Sequence, residues 1–93
     1  MTDLTKLDLH EIAHLIVNDW KKPYFGSIPY LQAMLSMRDI NENYGLDSGV
    51  SVVLYFLSNA TTWKGDVSRA VKAELKRRAA DYYLERDGRA NVR

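Results

Sequence analysis

The apolar positions of the chain fall into four stretches with helical spacing, separated by short polar turns. In the first, Leu9, Ile12, Ala13, Ile16 and Trp20 recur at intervals of three and four. At about 100° per residue they share one face, which predicts a helix over 9–20. Asp8 supplies its N-cap, Glu11 can reach back to that cap, and Leu7 with Ile12 stands where a hydrophobic staple belongs. Lys21 and Lys22 suit the C-terminal end, and Pro23 stops the helix.

Pro23-Tyr24-Phe25-Gly26 reads as a turn with its two rings packed at the corner, a surface patch being the alternative. Ser27 is the next cap, and Pro29 falls in the first helical turn. Tyr30, Leu31, Met34 and Leu35 make the apolar side of a second helix that runs to about Met37, with Met34 and Met37 as gap-fillers. A kinked continuation through Asp39 to Tyr44 is the alternative, with Gly45 as a left-handed stop in either case. For the third stretch, capped by Asp47 or Ser48, three valines at 50, 52 and 53 raise the possibility of a strand. Ser51, Tyr55, Ser58 and Asn59 group on one helical face, opposite Val50, Val53, Leu54, Leu57 and Ala60, and this decides for a helix.

Thr61 or Thr62 caps the last helix, expected from about Trp63 to Arg86. Trp63, Val67, Ala70, Val71, Leu75 and Tyr82 share its inner face. Gly88 ends it, and Arg89 to Arg93 form a frayed basic tail. The expected fold is therefore all-α: a compact bundle of about four helices with a long basic C-terminal helix, in a single domain over 1–88.

Composition narrows the function without naming it. The chain has 93 residues, 46% hydrophobic and 27% charged, with no cysteine. Such a balance suits a small globular domain, and the lack of thiols excludes a disulfide scaffold and thiolate metal sites. Met1-Thr2-Asp3-Leu4 shows no signal-peptide pattern, and Val50 to Leu57, the longest nearly apolar run, is far short of a membrane span. The expectation is a cytoplasmic protein with no membrane partner.

His10-Glu11-Ile12-Ala13-His14 satisfies the H-E-x-x-H pattern, in which two histidines one turn apart hold zinc and the glutamate activates its water. A zinc-dependent hydrolase is accordingly a remote alternative. Val17 and Trp20 stand where the extended signature has glycine and a third histidine, and a capping-box role already accounts for Glu11. A third ligand would have to be a carboxylate such as Asp39 or Glu42, but these, with Asp47, read as turn caps. No nucleophile elbow or phosphate-cradling loop is present, so no catalytic residue, cofactor or metal is assigned.

The charge distribution gives a better signal. Residues 1–63 carry four basic and seven acidic side chains, whereas 64–93 carry nine and five. Arg69, Lys72 and Lys76 lie within a sector of about 60° on the last helix. Beyond Leu75, Arg78, Asp81 and Glu85 enter the sector that faced the core, and apolar area spreads around the helix through Tyr82, Tyr83 and Leu84. These last turns are expected to project beyond the bundle. Tyr and Arg serve as anchors at protein interfaces. A protein partner bound by Arg69, Lys72, Lys76, Arg78, Tyr82 and Tyr83 is thus the leading expectation. Nucleic acid on the same basic helix is the alternative, and homodimerisation through this helix is a third arrangement.

Several strings resemble small proteins encoded by phages and prophages of Gram-positive hosts. They are Asn18-Asp19-Trp20-Lys21, Pro29-Tyr30-Leu31-Gln32-Ala33-Met34, Tyr44-Gly45-Leu46-Asp47, Tyr55-Phe56-Leu57-Ser58-Asn59-Ala60-Thr61-Thr62-Trp63-Lys64-Gly65 and Lys72-Ala73-Glu74-Leu75-Lys76. The resemblance covers roughly 9–78. It implies a phage accessory protein acting on phage or host machinery in the host-cell cytoplasm, with no assigned activity and no catalytic residues.

Overall fold

Asp8 opens the first helix, α1 (Leu9–Asp19), and its backbone N–H donates to Glu11 Oε1 at 2.8 Å. This is the capping-box arm expected from the spacing. The computed structural model describes residues 3–91, with side chains as far as residue 85. The first N–H groups of a helix have no partner inside it. Here Leu9 N donates to Arg38 O at 2.9 Å and His10 N to Met37 O at 2.8 Å, so a later loop closes the helix start. Leu9, Ile12, Ala13 and Ile16 are buried, as is Trp20 just past the helix end. At the other end Lys21 Nζ donates to Asn18 O at 2.6 Å, as a C-terminal lysine should.

The segment that follows departs from expectation at its corner. Phe25 is largely exposed and Tyr24 about half so; their rings lean on each other, 4.9 Å apart, rather than on the core. Ser27 precedes helix α2 (Ile28–Leu35), but its hydroxyl donates backward to Tyr24 O at 2.7 Å instead of capping. Leu31 and Met34 are buried as predicted, and Met37 joins them from beyond the helix.

No helix spans 39–44. Asp39 Oδ1 accepts from Asn41 N at 2.8 Å, which favours a turn over helix propagation. A two-stranded hairpin follows, β1 (Asn43–Tyr44) with β2 (Asp47–Ser48), in antiparallel register Asn43↔Ser48 and Tyr44↔Asp47. Gly45 has the left-handed φ of 61° that was expected, but uses it at the hairpin turn.

Ser48 then caps α3 (Gly49–Ser58), its Oγ accepting from Ser51 N at 3.2 Å. The buried face of α3 is rotated from the sequence expectation. Val52 and Phe56 join Val50 and Val53 in the core, Leu57 is half-buried and Leu54 is exposed.

Trp63 lies before the last helix, not in it. Gly65, at φ 108°, turns the chain into α4 (Asp66–Asn91). The tryptophan stacks on Trp20 at 5.8 Å and 16°, and Phe56 meets both rings edge-on. Burying a ring of this size contributes at least the roughly 1.5–3 kcal/mol of a large apolar side chain. That outweighs a place in the first helical turn.

The inner face of α4 is also rotated. Ser68, Val71, Glu74, Leu75 and Ala79 are buried, whereas Ala70 is exposed and Val67 is 39% exposed. The helix runs on through Gly88, the expected stop, to Asn91, and so includes the first part of the expected tail; Val92 and Arg93 lie outside the described residues. The assembly is an all-α bundle of four helices with one small hairpin. Among the described residues no helix is long and apolar enough to cross a membrane.

Candidate interaction surface

The six residues singled out on the last helix do not form one face. At about 100° per residue, Arg69, Lys72, Lys76 and Tyr83 share an outer flank of α4, while Arg78 and Tyr82 fall on the side of Val71 and Leu75. The side chains obey this division. Arg69 is exposed and paired with Asp66 one turn earlier, and Lys76 is exposed. Tyr82 packs against the core, and Tyr83 stands edge-on to it at 5.3 Å.

Arg78 is an internal tether. Its Nη2 donates to Leu4 O and to Leu7 O, each at 2.7 Å, and its Nε donates to Glu74 Oε2 at 2.6 Å. The chain start, a 3-10 turn at Leu4–Lys6, is thereby fixed to α4. Glu74 also accepts two bonds from Arg77, at 2.7 and 3.0 Å, and Arg77 reaches Asp81 at 2.7 Å. The Arg77 hydrogen bonds, aided by Arg78, hold the Glu74 carboxyl below the ordinary carboxylate range, against the upward pull of burial. These charges are consumed by the fold. Arg78 is therefore not presented to a partner as the sequence suggested.

Lys72 is held differently. Its Nζ donates to Trp63 O at 2.8 Å and lies 5.9 Å from the centre of the Trp63 ring. Partial burial lowers its pKa, and the neighbouring charges of Lys64 and Lys76 lower it further. The three lysines therefore form one positive cluster.

Two clefts flank the helices. One, of about 340 Å³, lies between residues 5–8, residues 38–41 and α4 from Arg77 to Glu85. Four basic and four acidic side chains line it, and Arg77, Arg78 and Asp81 are already paired with neighbours. The other, about 290 Å³ and mostly apolar, runs past Val17, Pro23, Ile28 and Leu35.

The histidine pair offers little chemistry. Glu11 is engaged with the Asp8 backbone, His10 Nε2 sits 3.4 Å from Asp8 Oδ2, and His14 is exposed. Among the described residues no three His, Asp or Glu side chains are grouped to hold a metal ion. Asp39 and Glu42 serve backbone amides of their own turn, at 2.8 and 3.3 Å.

What distinguishes the surface is the length of α4. Among the described residues its last buried one is Ala79, with Tyr82 still packed against the core, yet the helix continues for twelve residues beyond Ala79 to Asn91. That is about 18 Å at a rise of roughly 1.5 Å per residue. On this arm Tyr83 is 43% and Leu84 65% exposed. Sequence reasoning found the arm through the loss of amphipathicity after Leu75. It overlooked Leu84 as a contact residue, although Ala80, Tyr83 and Leu84 stand at i, i+3 and i+4. No family model, curated protein or solved structure matches the chain.

Proposed function

We propose that the protein is a non-enzymatic helical interaction module that lays the C-terminal arm of α4 into an apolar groove on another protein. The observation that carries this reading is the continuation of α4 past Tyr82, its last core contact among the described residues, to Asn91, with Tyr83 and Leu84 exposed on it. Helix-in-groove recognition uses apolar side chains at i, i+3 and i+4, which Ala80, Tyr83 and Leu84 supply. Exposed tyrosine is a favoured anchor because it brings large area at low entropic cost. The resemblance to phage-encoded proteins gives the proposed context, an accessory protein acting on phage or host machinery.

A photo-cross-linking amino acid placed at 80, 83 or 84 in producing cells tests the reading. One discrete protein adduct is expected from the arm and none from position 54, an exposed site on α3. Leu84→Glu should abolish the adduct formed from position 80. Adducts of equal yield from position 54, or none from the arm, would overturn the proposal.

A further inference from the structure

The contact between Trp20 and Trp63 has an electrostatic consequence. Trp63 Nε1 donates to Asp19 Oδ2 at 2.9 Å, and the two indoles stack at 5.8 Å. The end of α1 is thereby joined to the start of α4. Lys21 and Lys22 follow Trp20 directly, Lys64 follows Trp63, and Lys72 folds back onto Trp63 O. With Lys76 one turn further on, five of the six lysines in the chain either follow one of these tryptophans within two residues or belong to the Lys64, Lys72 and Lys76 group.

Two carboxylates stand close to these lysines in sequence, but each is engaged with another side chain. Asp19 is occupied by the Trp63 indole, and Asp66 is paired with Arg69. Among the described residues none of the five lysines is in an ion pair. The described arginines of α4, by contrast, are each matched with a carboxylate. Lys21 and Lys72 each give one proton to a backbone carbonyl, which leaves two donors on each ammonium.

We infer that this lysine end binds the phosphate backbone of nucleic acid without reading its bases, through Lys22, Lys64, Lys72 and Lys76. Three features favour phosphate over a protein surface. Lysine is depleted at protein interfaces, where arginine and exposed aromatics dominate. Trp63, the ring against which Lys72 lies, is buried and offers neither an anchor nor a stacking platform. Compact, strongly hydrated ammonium groups without carboxylate partners suit non-specific phosphate contacts. The site is separate from the α4 arm, so the two proposals stand or fall independently.

The test is fluorescence anisotropy of a labelled mixed-sequence DNA duplex titrated with the intact protein. About four phosphate contacts predict affinity that falls roughly 100-fold between about 50 and 200 mM salt. Lys22→Glu with Lys64→Glu should weaken binding at least tenfold at the lower salt with an unchanged circular dichroism spectrum. Arg38→Glu, at the other end of α1, and Leu84→Ala, on the arm, should each stay within twofold. Four results would overturn the inference: no binding at low salt, binding indifferent to salt, an equal loss in Arg38→Glu, or binding to anionic lipid vesicles but not to the duplex.

Discussion

At position 74 a carboxylate occupies a place that helical spacing would give to an apolar side chain. It is 6% exposed and is kept there by Arg77 and Arg78. A buried charge persists only when paired, so removing either side should cost more than a surface ion pair would suggest. Arg78→Ala is expected to lower stability by about 2–3 kcal/mol, because it leaves Glu74 and the Leu4 and Leu7 carbonyls short of a partner. Urea unfolding measures this, and a smaller loss is expected for Arg77→Ala, whose side chain is half exposed.

The same group makes stability depend on pH. Because the folded carboxyl titrates below its unfolded value of about 4.3, the unfolded chain binds the proton more readily in that window. The contribution of Glu74 is therefore fully present above about pH 4.3 and is lost as pH falls through the folded value. Glu74→Gln should be less stable than the parent at pH 7, and the gap should narrow toward pH 3. A gap that widens with acid would contradict the assigned direction. Glu11 gives a quieter case: Glu11→Ala should cost about 1 kcal/mol in the same assay, while Glu11→Gln keeps the acceptor and most of the stability.

Among the elements, the join between hairpin and α3 leaves no room for a side chain at Gly49. A Cβ on Gly49 would stand 2.6 Å from the backbone oxygens of both Ile40 and Glu42, and Gly49 N donates to Glu42 O at 2.6 Å. Gly45 has open space around it and pays only for its positive φ. Gly49→Ala should thus destabilise by about 2 kcal/mol or more, and Gly45→Ala by about 1. Thermal unfolding of the two variants should rank them in that order.

How far these elements were legible depended on whether local signals had competitors. α1 was read correctly because its periodicity, cap and stop all agree. The second and third helices were also placed, but the hairpin between them was not. Asp39, Asn41 and Gly45 are turn residues whose pairing only a neighbouring strand reveals. The inner face of α4 departs from the apolar pattern because that pattern places Trp63 as its first core position. Once Trp63 packs on Trp20 from the loop, the register of α4 turns to bury Ser68 and Glu74, which no apolar pattern marks. The lysine cluster was invisible for the same reason. Lys72 reaches the Trp63 carbonyl nine residues back, and one indole stack joins Trp63 to the end of α1 across 43 residues of sequence.

On the scale of the whole molecule, α4 belongs to two regimes. As far as Tyr82 it is bound into the bundle, through Val71, Leu75, Ala79 and Tyr82 itself; beyond that it runs on to Asn91 with Tyr83 and Leu84 exposed. The α4 lysines, Lys72 and Lys76, precede the arm on this helix, and Tyr83 and Leu84 lie beyond its last described core contact. Urea unfolding of Leu75→Ala beside Leu84→Ala tests this division most directly. The cavity left at position 75 should cost about 2–5 kcal/mol, whereas truncation at the exposed position should stay within about 0.5 kcal/mol. A loss at Leu84 as large as that at Leu75 would contradict the account, because the arm would then be spent on stability and not left for a partner.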